Sequence, residues 1–218
     1  IGSLLCEKLS DKKVELGLVP FGSIGLTLFG VDLYFATNGL QPEVTTGLSQ
    51  FLAKPLHHRV IFDLIGIGMF GGFYIVPLYA LVQSRSEASH RARVIAGNNI
   101  MNALFMVCSA ILAVVILKVL HFTISELFLF TAVLSAIVSL YIYTLVPEFL
   151  MRFLVWIFIS LFYRIRRTHI ERIPDEGPCV LVCNHVSFYD ALILASAIRR
   201  PPRFVMHHTI FKLPVLSF

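Results

Sequence analysis

The sequence predicts an α-helical, multi-pass membrane domain followed by the start of an α/β domain. Its composition is 57% hydrophobic and 14% charged, with a mean hydropathy of +0.81, whereas a soluble domain carries about 25% charged residues. Long apolar segments fill most of the chain, and a short apolar run followed by turn-forming residues comes near its end. The first pattern predicts helices that cross a bilayer, and the second predicts a strand, a turn and a helix.

The membrane domain is predicted over residues 1–148, with four transmembrane helices. Its apolar segments cover residues 14–36, 60–83, 94–120 and 127–146. Each reaches the length of about 20 residues that a helix needs to cross a bilayer. Because the sequence starts with Ile1 rather than Met and stops inside the second domain, we expect it to be part of a longer polypeptide.

Basic residues cluster in short segments next to the apolar ones. They are Lys8, Lys12 and Lys13 before the first span, Arg85, Arg91 and Arg93 between the second and third, and Arg164, Arg166 and Arg167 after the fourth. The positive-inside rule puts these segments on the cytoplasmic side of the cell's inner membrane. The net charge of +5 therefore indicates anionic lipid headgroups as partners rather than nucleic acid.

Residues 149–167 are predicted to form an interfacial amphipathic helix and a basic linker. The apolar part is only about fifteen residues long, and Arg152 interrupts it. A fifth crossing would put the two basic ends on opposite sides of the membrane. A helix lying in the cytoplasmic interface, with Trp156 and Tyr163 at headgroup level, keeps both ends on one side.

Several side chains in the spans are unusual for contact with lipid. Asn98 and Asn102 lie four residues apart and share a helix face, and polar groups at that depth face a partner helix or an aqueous cavity. They could therefore line a substrate pathway or form interhelical hydrogen bonds. The spacing of Gly68 and Gly72 suits close helix packing.

Two acidic residues, Asp32 and Asp63, are predicted near the outer ends of their helices. The connection between the first two spans supplies His57, His58 and Arg59. An interfacial pairing with these residues is favoured over an ion-coupling site.

The segment Asn-His-Val-Ser-Phe-Tyr-Asp, residues 184–190, carries the candidate chemistry. It follows the strand-like residues 179–183, and Ser187 is a candidate N-cap for the apolar helix after it. His185 would then lie on the strand-to-helix turn and Asp190 in the first helical turn. The carboxylate could hold one imidazole nitrogen while the other faces a substrate hydroxyl, as in a general base.

No metal or cofactor is expected at this pair, because no third ligand lies nearby in the sequence. The four cysteines, Cys6, Cys108, Cys179 and Cys183, form no C-x-x-C pair and have no histidine spacing suited to zinc. We predict that all four are reduced thiols. A histidine and an aspartate at this spacing would alone often arise by chance, and the strand–turn–helix setting favours catalysis.

Residues 168–218 resemble the start of the glycerophospholipid acyltransferase family, which contains the lysophosphatidic acid acyltransferases. The shared features are Ile173-Pro174, Gly177-Pro178, the His-x4-Asp motif at His185 and Asp190, the basic turn at residues 199–203 and Phe204-Val205-Met206. The resemblance implies an acyltransferase domain in which His185 is the general base and Asp190 orients it. The family's later Gly-x-x-Phe-x-x-Arg-like and Glu-Gly-Thr-Arg-like blocks, which help bind glycerol phosphate, are not in this sequence.

The same resemblance implies an acyl thioester as co-substrate, carried by acyl carrier protein or coenzyme A. Arg199, Arg200 and Arg203 could bind a headgroup phosphate. They could equally be a solvated face beside a membrane.

Residues 1–146 look like the second-half helices of a major facilitator superfamily transporter. Residues 2–13 resemble the basic loop before the ninth helix of that family, with Glu7-Lys8 in place of the usual Asp-Arg. Residues 85–102 resemble the connection between its tenth and eleventh helices, as in lysophospholipid transporters.

Together the resemblances imply a fusion that translocates a lysophospholipid and re-acylates it. Its expected partners are membrane lipids, the lysophospholipid substrate and acyl carrier protein. The alternatives are a pure transporter with a vestigial tail and a membrane-anchored acyltransferase without transport. Twelve spans in the complete polypeptide would favour transport, and intact later acyltransferase blocks would favour chemistry.

Overall fold

The structure is a computed structural model that describes residues 17–40, 47–174, 177–187, 189–198, 202–205 and 207–208. Within these residues the chain forms seven α-helices and a single 3-10 turn at Ile170–Arg172. The helices are α1 (Leu18–Thr37), α2 (Leu48–Leu52), α3 (Pro55–Arg85), α4 (Arg91–Lys118), α5 (Ile124–Leu145), α6 (Pro147–Phe162) and α7 (Asp190–Ala197). The chain divides between Phe153 and Leu154, inside α6, into two compact units.

Four helices of the first unit, α1, α3, α4 and α5, are long and apolar enough to cross a membrane. The four apolar segments predicted from the sequence are therefore confirmed as helices long enough to span a membrane, with ends that differ by a few residues. The largest difference is at α3, which begins at Pro55 rather than Val60. Proline suits a first helical position because its φ is already helical and its missing N–H would have no partner there.

The start of α5 is fixed by a capping box. The backbone N–H of Glu126 donates to the Thr123 hydroxyl at 3.2 Å, and the Glu126 carboxylate accepts from the Thr123 N–H at 2.7 Å. These two bonds satisfy amides that the first helical turn leaves without partners. The helix therefore begins three residues before the apolar pattern predicts.

Glycines let α1 approach its neighbours closely. A Cβ on Gly22 would lie 2.5 Å from the backbone nitrogen of Tyr74 on α3, and one on Gly30 would lie 2.9 Å from Ala132 on α5. Both helices therefore pack on α1 with almost no side chain between the backbones. Gly68 has nothing within 4 Å of its Cβ position, so its predicted role in close packing is wrong. The pattern of small residues does not say which face of a helix meets a partner.

Aromatic side chains fill the space beside this contact. The Phe70 ring of α3 has its centroid 5.1 Å from that of Phe21 and 5.5 Å from that of Phe29, both on α1. The Ser23 hydroxyl of α1 is hydrogen-bonded to the Tyr143 hydroxyl of α5. In contrast, α4 exposes nearly its whole apolar surface and buries only Ile116.

The apolar segment after the fourth span forms α6, a helix of 16 residues. This is shorter than the roughly 20 residues of a perpendicular crossing. Phe153 and Ile159 are buried, while Trp156 and Leu161 are exposed. The interfacial position of this helix stays a prediction.

The strand expected at residues 179–183 is absent from the described part of the chain. Residues 177–187 have no regular secondary structure, and Val180 and Val182 are 85% and 90% exposed. A strand requires a neighbouring strand to complete its backbone hydrogen bonds. No described segment pairs with this one, so the apolar run stays extended and open.

Substitution of Gly22 should test the close packing of α1 on α3. Gly22→Ala should lower the free energy of unfolding by about 1–3 kcal/mol, because the new methyl group would overlap the backbone of Tyr74. Gly68→Ala is the matched control, since its Cβ meets open space and alanine is the better helix former. Thermal unfolding of both variants in detergent provides the measurement. Equal stability of the two variants would contradict the packing.

Candidate active site

The turn before α7 is built by Ser187. Its carbonyl accepts from the backbone N–H of Asp190 at 3.1 Å, and its hydroxyl accepts from the N–H of Tyr189 at 3.3 Å. The helix begins at Asp190, with Tyr189 as the N-cap and no side-chain bond from that cap. The prediction of Ser187 as N-cap is therefore wrong. Its hydroxyl bonds locally two residues ahead, which is an alternative open to serine in turns.

The Asp190 carboxylate binds the backbone of the turn that precedes the helix. Its Oδ2 accepts from the backbone N–H of Val186 at 2.6 Å and of Ser187 at 2.8 Å. The same oxygen lies 3.2 Å from Nδ1 of His185. One carboxylate oxygen therefore collects two backbone amides and the imidazole, and this fixes the turn between His185 and Asp190.

These bonds favour the ionised carboxylate. The backbone amides of Ser187 and Val186 hold the pKa of the Asp190 carboxyl below its ordinary value of 3.8, and His185 adds to the effect. Hydrogen bonds to the charged form of an acid stabilise that form. Asp190 is therefore ionised throughout the neutral range.

The ionised carboxylate sets the tautomer of His185. A carboxylate is only an acceptor, so Nδ1 must carry the hydrogen that the contact with Asp190 requires. In the neutral ring the other nitrogen, Nε2, then has a lone pair. The His185 side chain is 76% exposed and that of Asp190 is 25% exposed. The arrangement thus presents a basic nitrogen on the surface of the second unit.

Aromatic contacts support the turn from the other side. The Tyr189 ring stacks on Phe158 with centroids 6.1 Å apart, and its centroid is 6.5 Å from that of Tyr163. The end of α6 thereby contacts the residue next to Asp190. Sequence reasoning missed this role of Tyr189. The aromatic residues within the motif and at the end of α6 were the available signal.

A second tie holds the end of α7. The Arg167 guanidinium donates to the carbonyl of Ser196 at 3.0 Å, in the last turn of that helix. A cation there binds a carbonyl that the helix leaves without a partner and complements the helix dipole. The sequence showed Arg167 only as part of a basic linker.

The three arginines considered for phosphate binding receive only a partial structural description. Arg203 is exposed. Arg199 and Arg200 lie outside the described residues. The phosphate-binding role of all three stays a prediction.

Asn98 and Asn102 lie in the first unit. Asn102 donates to the hydroxyl of Tyr79, which joins α4 to α3. Asn98 lines a shallow recess of about 170 Å³. The other lining residues are Ile75, Leu78, Tyr79 and Val82. Asn102 therefore forms an interhelical hydrogen bond, which was one of the two predicted roles, whereas Asn98 lines the recess.

Comparison with known proteins gives a match in the second unit. Residues 164–218 match the model of the acyltransferase family. This segment contains the whole turn from His185 to Asp190, covers about a quarter of the chain and does not extend to the four membrane helices. No curated protein and no solved structure matches the chain. The match supports acyl transfer as the chemistry of this segment, on a chain with helices suited to a membrane.

Removal of the Asp190 carboxylate should loosen the turn. In Asp190→Ala, amide hydrogen exchange of the peptide covering residues 185–190 should speed up by about 3- to 10-fold at neutral pH, the usual worth of a lost hydrogen bond. Glu171→Ala is the control, because Glu171 contacts His169 at 3.3 Å and takes no part in this turn. Unchanged exchange in Asp190→Ala would contradict the bonding described.

The same exchange measurement has a defined pH dependence. Folding lowers the pKa of Asp190, so its carboxylate stabilises the turn above the ordinary pKa of 3.8. That contribution is lost as the pH falls through the lowered value. The difference between wild type and Asp190→Ala should therefore persist down to about pH 4 and vanish only in stronger acid.

Proposed function

We propose that this protein transfers an acyl group from a thioester to the glycerol hydroxyl of a lysophospholipid, with His185 as general base. The observation that carries the proposal is the contact between Nδ1 of His185 and the ionised Asp190. It lies inside the segment that matches the acyltransferase family. That contact directs Nε2 toward a substrate.

In the proposed reaction, Nε2 of His185 takes the hydroxyl proton as the glycerol oxygen attacks the thioester carbonyl. The carbon–oxygen ester bond forms, and the carbon–sulfur bond breaks when the tetrahedral intermediate collapses. The imidazolium then returns its proton to the departing thiolate. Asp190 stabilises the imidazolium and keeps the ring oriented through both proton transfers. Acyl carrier protein or coenzyme A supplies the thioester.

A lipid acceptor is supported by the exposed apolar side chains of the second unit. Trp156, Phe162, Val180 and Val182 of the second unit are all more than half exposed. Exposed apolar and aromatic side chains at this density are typical of surfaces that bind membranes. We infer that the unit acts at the cytoplasmic face of the inner membrane, where Arg203 could meet a headgroup phosphate.

Lysophospholipid translocation by the membrane unit is the second candidate function. Its specific support is the recess beside Asn98, an amide about two turns inside an apolar helix. A unit that serves only as an anchor has no need of a polar side chain there, because such groups are costly in lipid. Tethering would raise the local concentration of the translocated lipid at the acyltransferase.

Loss of the base should abolish most of the acyl transfer. His185→Ala should lower the rate by about 10²- to 10⁴-fold, the usual contribution of a general base. Asp190→Asn should also slow turnover, because an amide cannot stabilise the imidazolium as a carboxylate does. The assay follows a labelled acyl group from thioester to lysophospholipid in membranes that contain the complete polypeptide.

The chain offers a matched control for this assay. His169 also contacts a carboxylate, that of Glu171 at 3.3 Å, and both residues lie in the matched family segment. His169→Ala should retain the wild-type rate. Equal rates for wild type and His185→Ala at equal expression would overturn the catalytic assignment.

Translocation can be tested separately at the recess. Asn98→Leu should reduce uptake of labelled lysophospholipid several-fold, because an apolar side chain of similar size replaces the amide in this lining. Acyl transfer to lysophospholipid supplied in detergent should stay unchanged. Normal uptake by correctly inserted Asn98→Leu would leave the membrane unit as an anchor.

A further inference from the structure

Asp63 of α3 is the most unusual side chain of the membrane unit. It is fully buried, and neither of its carboxylate oxygens has a hydrogen-bond partner among the described residues. It lies about two helical turns inside α3, within the span. Ionisable groups are expensive at such positions and are typically functional.

The charged side chains that act on Asp63 are Asp32 and Arg59. Arg59 donates to both oxygens of Asp32, with Nε at 3.0 Å from Oδ2 and Nη2 in contact with Oδ1. The predicted pairing is therefore confirmed for Asp32 and wrong for Asp63. Asp32 is the only charged residue of α1, and α2 has none. Both helices pack on α3, and α4 meets α3 at the hydrogen bond between Asn102 and Tyr79.

The two histidines at the start of α3 are occupied elsewhere. Nδ1 of His57 lies 2.9 Å from the carbonyl oxygen of Phe51, and Nε2 of His58 lies 2.6 Å from that of Leu52. The His57 ring also stacks on Phe51, with centroids 4.1 Å apart. Both imidazoles therefore join α2 to α3, and neither is hydrogen-bonded to Asp63.

The ionised form of Asp63 is energetically unfavourable in these surroundings. It would place a second negative charge beside Asp32 with no donor on either oxygen, and an uncompensated buried charge is strongly unfavourable. A protonated Asp63 is neutral and carries a hydrogen that the Asp32 carboxylate can accept. Two neighbouring carboxyl groups commonly share one proton for this reason.

We propose that Asp63 is a proton-binding site of the membrane unit, and that it holds its proton against the Asp32–Arg59 pair. Arg59 and Asp63 are four residues apart on α3, so their side chains can also meet. Release of the proton therefore gives Arg59 a second carboxylate to bind. Binding and release of the proton thus change the partner of Arg59 between α1 and its own helix.

A route for the proton exists through Asp32. The side chains of Asp32 and Arg59 are 41% and 50% exposed, whereas Asp63 is fully buried. A proton can therefore reach Asp32 first and pass from there to Asp63, its neighbouring carboxyl group. This proton-binding site does not depend on the proposed acyl transfer.

Carbodiimide labelling tests this proposal, because dicyclohexylcarbodiimide reacts with protonated carboxyl groups in apolar surroundings. Wild-type protein in vesicles should be labelled on Asp63 at about pH 5.5 and at least about 10-fold less at about pH 9. Peptide mass spectrometry locates the label. Glu126, an exposed carboxylate engaged with Thr123, is the internal control and should stay unlabelled. An infrared difference spectrum between the two pH values should contain a protonated-carboxyl band that Asp63→Asn lacks.

Asp32→Asn distinguishes the proposed site from a merely buried carboxyl. It releases Arg59, which should then pair with Asp63 and reduce labelling of Asp63 several-fold at the lower pH. Absence of both the label and the infrared band in folded wild-type protein would overturn the proposal. Labelling unchanged by Asp32→Asn would overturn the role of the pair. Protection by sodium ions, but not by choline at equal ionic strength, would overturn proton binding in favour of a monovalent cation.

Discussion

Polar groups that lose water must find partners inside the protein, and this constraint shapes both units of the chain. In an apolar environment an unpaired backbone amide or carboxylate costs several kcal/mol, so the long apolar segments become helices with internal hydrogen bonds. Two carboxylates accept backbone amides just before a helix: Glu126 accepts that of Thr123 at α5, and Asp190 accepts that of Val186 at α7. Among the described residues the buried side chains of Asp63 and Ser139 are exceptions, and an ionisable group such as Asp63 inside a membrane helix is typically functional.

The carboxylate of Asp190 connects this constraint to chemistry. Two contacts of similar length join a histidine to a carboxylate among the described residues of the second unit, one at His185 and one at His169. Only Asp190 also accepts backbone amides, and these keep it charged and fix its position. A general base needs such a fixed partner, because the imidazolium must form in the same orientation at every turnover. The distinction between the two histidines therefore lies in the backbone around the carboxylate.

The membrane unit combines tight and open surfaces. Gly22 and Gly30 bring α1 against α3 and α5 with little room for side chains, and the Asp32–Arg59 pair also joins α1 to α3. The α4 helix leaves most of its apolar surface uncovered and has Asn98 at a recess. The proposed proton site at Asp63 therefore lies on a helix in close contact with α1, in a unit whose α4 helix is largely uncovered.

The sequence alone determined the features that depend on local pattern. The length of the apolar runs determined the four helices that are long enough to span a membrane, and the spacing of His185 and Asp190 brought an imidazole and a carboxylate to one turn. The tertiary structure decided which polar groups have hydrogen-bond partners. Among the described residues the Asp63 carboxylate has none, and residues 179–183 do not form the expected strand. It also joined Tyr189 to α6. The physical reason is that these outcomes depend on the rotation and approach of segments far apart in sequence, which no local pattern contains.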